Sequence, residues 1–182
     1  MHTIASPTRA LEQPLLTVNT ELLITPFYED DSATLLRAAQ DPEMLKQLGL
    51  CRPLNNLGDC ERWITECGEM ADEGRGLRLA VRDQAFRVVG CVEMSLQPGG
   101  GLMIGYWTAS WTRGQGIATR AAAALCDWAQ SNYPDCELGL ATVPGNRASE
   151  KVAIRLGFAL IGEEVVEYPG RGETLLRFWS RF

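Results

Sequence analysis

Apolar positions along this chain switch between two spacings, and the switches mark its elements. Leu22–Phe27 is a short apolar run suited to a strand. Asp30 and Asp31 stand where a helix cap is wanted, and Leu35, Leu36 and Ala39 share one face of a helix reaching about Gln40. Asp41-Pro42-Glu43 restarts it, proline being tolerated in a first turn. Asp59 caps a clearer helix with Trp63, Ile64, Cys67 and Met70 as its apolar stripe, and Gly74 and Gly76 end it. Residues 1–19, with Pro7 and Pro14 and little periodicity, read as a tail ahead of one domain, 20–182.

Strand periodicity then takes over. Leu77–Arg82 and Arg87–Leu96 are joined by a turn at Asp83–Ala85, and Pro98-Gly99-Gly100-Gly101 leads into Leu102–Ala109, an antiparallel meander. From Gly114 the chain predicts a helix, with Ile117, Ala121, Leu125 and Trp128 at helical spacing up to Pro134. Strand Glu137–Val143, helix Arg147–Leu156 and strands Phe158–Glu167 and Thr174–Phe182 complete the pattern. The order predicts an α/β protein, or α+β with a mixed sheet.

Composition narrows the chemistry. The 182 residues fit one domain at about 150 residues per domain, and 46% hydrophobic against 22% charged residues supplies a core. A net charge of −6 argues against a nucleic-acid backbone as partner, which wants clustered positive charge. The only histidine is His2, in the tail, so histidine triads and ordinary histidine-ligated zinc are not expected, nor is any metal. The six cysteines, Cys51, Cys60, Cys67, Cys91, Cys126 and Cys136, form no CxxC pair, and neither a leader pattern nor a membrane-length apolar run is present. Buried thiols in a reducing cytoplasm are the expectation, with a reactive cysteine as the rival reading.

The richest segment is Ile104–Thr119, where a strand enters a loop with two glycines that opens a long helix. Bare amides and the dipole at a helix start make an anion site, glycine lets a phosphate approach the main chain, and Arg113 adds a cation. The loop lacks the Gly-Lys-Ser/Thr ending of a P-loop, and Thr119 stands where a GxGxxG fingerprint needs its last glycine.

Arg113-x-x-Gly116-x-Ala118 resembles the Arg/Gln-x-x-Gly-x-Gly/Ala loop of the GNAT superfamily of N-acetyltransferases. Ile104-Gly105-Tyr106-Trp107, Asn146-x-x-Ser149, Leu156-Gly157-Phe158 and Asp41-Pro42-Glu43 are similar to the branch containing ribosomal-protein alanine N-acetyltransferases. The resemblance implies a mostly antiparallel sheet flanked by helices, and acetyl-CoA as co-substrate. It implies that the pyrophosphate rests on Gly114, Gln115, Gly116, Ile117, Ala118 and Thr119 beside Arg113. Trp107 and Thr108 would flank the pantetheine through their main chain, and Asn146 would hydrogen-bond it. Ser149 matches a position that can donate a proton to the departing thiolate. Asn146 and Ser149 also suit a helix cap.

The chain departs from the family in places. A tyrosine often found four residues before the Gly-Phe pair is Ala153, and the carboxylate often ahead of the IGYW strand gives way to Leu102 and Met103. Glu93 is then the candidate base, ahead of Glu163 and Glu164. The resemblance implies direct attack by a primary amine. Neutralising an α-amine of pKa near 8 at pH 7 costs about 1.4 kcal/mol, and a lysine near 10.4 about 4.6, which favours α-amines or low-pKa small amines. The acidic chain suits a cationic peptide or small molecule, with Asp41, Glu43, Asp59, Glu61 and Glu66 contributing the field. A non-catalytic acyl-CoA sensor or subunit, a polyamine or antibiotic acetyltransferase, and a homodimer are the alternatives kept open.

Overall fold

The computed structural model describes residues 11–47, 53–168 and 172–181, so His2 and Cys51 fall outside the described residues. The chain runs β1 (Leu16–Thr17), β2 (Leu23–Thr25), a 3-10 turn (Glu29–Asp31), α1 (Ser32–Ala39), α2 (Pro42–Gln47) and α3 (Leu57–Asp72). The meander β3 (Gly76–Arg82), β4 (Val88–Leu96) and β5 (Leu102–Thr108) follows, then a 3-10 turn (Ser110–Thr112) and α4 (Ile117–Asn132). β6 (Leu138–Thr142), α5 (Arg147–Arg155), β7 (Ala159–Tyr168) and β8 (Gly172–Arg181) close the order.

Among the described residues the strands form one eight-stranded sheet, β1-β2-β3-β4-β5-β6-β8-β7. Every neighbouring pair is antiparallel except β5 and β6. That pair is parallel because a helix, α4, carries the chain back to the starting end, as parallel neighbours require. Alternate residues of β3 and β4 face opposite layers, and both layers are apolar. Leu79, Val81 and Val92 join Ala121, Leu125 and Ala129 of α4, while Ala80 and Cys91 join Leu35, Cys60, Ile64 and Cys67 of α1 and α3. Helices on both faces explain why β3 is almost continuously buried.

Three local features differ from the sequence expectation. The stretch read as tail is docked from Leu11 onward: its N–H donates to the Ala71 carbonyl at 2.9 Å, and β1 pairs Leu16 with Ile24. Leu11, Leu16 and Val18 pack on the core, which is what holds it. Helix α3 starts three residues before a cap at Asp59 would allow. Asn56 is the cap, its Oδ1 accepting the Asp59 N–H at 3.0 Å, and Asp59 Oδ2 in turn accepts the Asn55 N–H at 3.0 Å. Asp31 stands at the N-cap position of α1 but makes no side-chain cap bond there; its Oδ2 accepts the Tyr28 N–H at 2.8 Å, and its carboxylate is the counter-ion of a buried arginine.

That arginine is Arg82, 1% exposed at the end of β3. Its Nη1 and Nη2 donate to the two Asp31 carboxylate oxygens at 2.9 and 2.6 Å, and its Nε donates to Thr25 Oγ1 at 2.7 Å. The rings of Tyr28 and Phe86 stack on each other, 6.3 Å between centroids, and the guanidinium lies beneath the pair, at 4.8 and 4.6 Å from their centroids. One cation thus joins β2, the 3-10 turn and the β3–β4 turn. Among the described residues no helix is long and apolar enough to cross a membrane.

Candidate active site

The ladder between β5 and β6 pairs Leu102 with Leu138, Met103 with Gly139 and Ile104 with Leu140, and ends there. Both strands continue, each held by its outer neighbour: β5 by β4 as far as Thr108 opposite Gly90, β6 by β8 as far as Thr142 opposite Arg177. Their inner edges part, and a cleft of about 620 Å³ opens between Gly105–Thr108 and Ala141–Val143. Backbone groups on these edges are left facing the cleft instead of a strand. Trp107 and Thr108, the expected pantetheine neighbours, lie on this edge.

The loop 112–119, expected to hold a phosphate, lines the cleft as well. Thr112 is pinned by its hydroxyl to the carbonyls of Val89 and Ala109, both at 3.1 Å. Gly114 and Gly116 then adopt left-handed φ angles of 78° and 70°, which glycine takes without strain. A Cβ at either position would meet nothing within 4 Å, so the space over the loop is open. Gly116 is the cap residue of α4 and brings no side chain to it, leaving the first amides of a 16-residue helix to an anion. Gly114, Gly116, Ile117, Ala118 and Thr119 line the cleft with Arg113, whereas exposed Gln115 does not. The Arg113 guanidinium is paired with Asp41, and Arg37 stacks 4.1 Å over Trp111, so two contacts tie the loop to the helical layer. The Asp41-Pro42-Glu43 motif therefore acts partly as an anchor for the loop cation.

Opposite the loop, Asn146 caps α5, its Oδ1 accepting the Ser149 N–H at 3.2 Å. The cap is thus Asn146 and not Ser149, whose hydroxyl is occupied differently. Ser149 Oγ lies 2.8 Å from the phenol oxygen of Tyr106, which is also 3.1 Å from the Ser149 carbonyl. Burial pushes the Tyr106 phenol up to about 12, opposed by its bond to Ser149. Tyr106 lies within the IGYW motif, yet only the fold shows that its hydroxyl reaches Ser149. Ala153, at the position of the expected tyrosine, is fully buried in the core.

Glu93 sits opposite Gly105 in the β4–β5 ladder and accepts a hydrogen bond from Arg78 Nε at 3.0 Å. Its side chain crosses Gly105 so closely that a Cβ there would lie 2.7 Å from Glu93 Cγ. This glycine is a matter of space: it lets the carboxylate lie in the cleft. Glu43, Asp59 and Glu66 line the same cleft with Arg62 and Trp63, Asp59 in an ion pair with Arg62. Of the other acidic residues expected there, Asp41 serves Arg113 and Glu61 lies exposed outside the lining. Glu163 and Glu164 are exposed on the edge strand β7, away from the cleft, with Glu163 bound to Arg177 at 2.7 Å.

Burial pushes the Cys67 thiol up to about 12 and Cys126 to about 11, and raises Cys91 well above its ordinary value. These groups stay protonated near neutrality, which removes them as thiolate nucleophiles. Among the described residues no group of three or more His, Cys, Asp or Glu is placed to hold a metal.

The family model described as Acetyltransferase (GNAT) domain matches residues 21–159. No curated protein matches the chain. Similar solved structures include the microcin C7 self-immunity acetyltransferase MccE in complex with acetyl-CoA and AMP, 19% identical over 96% of each chain with a TM-score of 0.81. RimL, the ribosomal L7/L12 alpha-N-protein acetyltransferase, in complex with coenzyme A is 18% identical over 93% of this chain and 98% of its own, TM-score 0.82. The ribosomal-protein-S5-alanine acetyltransferase of Vibrio fischeri is 19% identical over 88% and 92%, TM-score 0.75. With that family match over most of its length and this cleft at its centre, the chain belongs to the GNAT family of acetyl-CoA-dependent N-acetyltransferases.

Proposed function

We propose that residues 20–182, with the docked segment 11–18 packed on them, act as one cytoplasmic domain that moves the acetyl group of acetyl-CoA to the α-amino terminus of a cationic protein. The observation that carries this reading is the parting of β5 and β6 above a glycine-opened helix start. A long, thin thioester fits that geometry: diphosphate on the amides from Gly114 to Thr119, pantetheine along the free edge at Trp107 and Thr108. Gln115 contributes its main chain, and Arg113 keeps donors to spare beside Asp41. The amide N–H groups of Asn146, whose oxygen is taken by the cap, are the donors for the pantetheine arm.

In this reading the thioester carbonyl lies between Glu93 and Ser149, both of which line the cleft. Glu93, held by Arg78, takes the proton of the incoming amine directly or through water. Ser149 donates a hydrogen bond to the sulfur as it leaves and keeps its own proton. Ribosomal-protein acetyltransferases among the similar structures support a protein amino terminus as acceptor. The acidic end of the cleft supports a cationic one.

Gly116→Val forces a β-branched residue into a left-handed conformation and fills the open space over the loop. Acetyl-CoA affinity is expected to fall at least tenfold, about 1.4 kcal/mol. Calorimetry on a variant with wild-type circular dichroism checks this, and unchanged affinity removes the loop from the site. The acceptor is tested by acetyl transfer to a panel of basic amino-terminal peptides, polyamines and aminoglycosides at two salt concentrations. For a basic peptide, kcat/KM is expected to fall clearly as ionic strength rises to physiological, where the screening length shortens to about 8 Å. Preference for a polyamine or antibiotic replaces the protein acceptor with a small one, and a rate indifferent to salt defeats the electrostatic part. No transfer to any amine, with acetyl-CoA still bound, identifies a sensor or subunit.

A further inference from the structure

We propose that Tyr106 is a positioning residue that turns the Ser149 hydroxyl toward the leaving sulfur, an assignment resting on the transferase reading above. The two side chains reach each other from opposite walls of the cleft, Tyr106 from β5 and Ser149 from the first turn of α5. A phenol has one hydrogen, and two acceptors lie within its reach: Ser149 Oγ at 2.8 Å and the Ser149 carbonyl at 3.1 Å.

The two choices differ in where the serine hydrogen goes. When the phenol donates to the carbonyl, the serine is free to donate back to the phenol oxygen, and its hydrogen faces the wall. When the phenol donates to Oγ, the serine hydrogen must leave that axis and is available to the cleft, which both residues line. Negative charge growing on a sulfur in the cleft selects the second arrangement. It draws the serine hydrogen, and the polarised Oγ then binds the phenol hydrogen more strongly. Only two hydrogens rotate; no heavy atom moves. Ser149 itself is fixed, because its N–H is held by Asn146.

Burial keeps the phenol protonated, with its titration up to about 12. An ordinary thiol near 8.5 holds its proton less tightly than that phenol, so both hydroxyls retain their protons throughout. The acceptor nitrogen bonds to the carbonyl carbon, the C–S bond breaks, and its electron pair stays on sulfur. The surplus proton of the nitrogen leaves through Glu93 to water, and water returns one to the thiolate. Tyr106 and Ser149 finish as they began.

The test compares wild type, Tyr106→Phe, Ser149→Ala and the double variant by steady-state kinetics and thermal melting. Tyr106→Phe keeps the ring and its packing, and is expected to lower kcat about tenfold while KM for acetyl-CoA stays within about twofold, a split a purely structural role would not give. The double variant is expected to be no slower than Ser149→Ala alone, since the phenol acts only through that hydroxyl. An unchanged kcat in Tyr106→Phe, a loss confined to KM or melting temperature, or an undiminished loss in the Ser149→Ala background overturns the inference and leaves Ser149 in place. Wild-type turnover by Ser149→Ala instead overturns the Ser149 assignment itself, and the role of Tyr106 falls with it.

Discussion

Asp31→Ala is expected to lower stability by about 3–5 kcal/mol, the range found when one partner of a buried ion pair is removed. The cost arises from what remains. The Arg82 side chain is 2% exposed, and its charge would be left beneath Tyr28 and Phe86 with no counter-ion, its Nη groups keeping only the Phe86 and Pro26 carbonyls at 3.4 and 3.2 Å. In a domain of this size each kcal/mol moves the melting temperature by about 2–4 °C, so the midpoint should drop by roughly 6–20 °C. Circular-dichroism melting checks it. Replacing Asp31 and Arg82 together with apolar residues of similar volume should recover much of the loss, because the expense lies in the orphaned charge. A drop below about 1 kcal/mol for Asp31→Ala would show that solvent reaches the guanidinium.

Ser149→Ala is expected to lower kcat by about 10²–10³-fold with little change in KM for acetyl-CoA. That is the usual loss when one preorganised donor aimed at developing charge is removed. The prediction separates chemistry from architecture because Asn146, and not Ser149, supplies the capping oxygen. Alanine keeps the backbone N–H that Asn146 receives, so α5 and the melting temperature should hold. A variant that melts early but turns over normally would make Ser149 a structural residue.

The meander β3–β5 and helix α4 were legible in the sequence because each rests on a local signal: apolar runs, glycine and proline turns, one long helical stripe. The phosphate loop was legible for the same reason, its glycines, cation and helix all lying within a few residues. Asp31 with Arg82 was not. Each has a plausible local role, as cap and as strand-end charge, and only the β2–β3 register brings them together across the chain. The contact of Tyr106 with Ser149 was hidden likewise, since it depends on how far apart β5 and β6 stand. The start of α3 slipped for a smaller reason: Asn56 and Asp59 are both good cap residues, and the reciprocal bonds decide between them. Residues Leu11–Val18 lack enough periodicity to predict docking, and gain it only from the edge offered by β2.

The proposed seat for the acetyl donor is made largely of main chain, which frees much of its sequence to diverge. Every residue but proline offers the same N–H and C=O, so drift at Trp107 or Thr108 alters neither donor nor acceptor while the strand keeps its path. Only Gly114 and Gly116, whose backbone angles exclude most residues, are confined by conformation. The proposed acceptor end obeys another rule, because Glu43, Asp59 and Glu66 carry their charge on side chains, and each single mutation rewrites it. Descendants of one ancestor can therefore exchange one amine for another in few steps and inherit the donor seat intact.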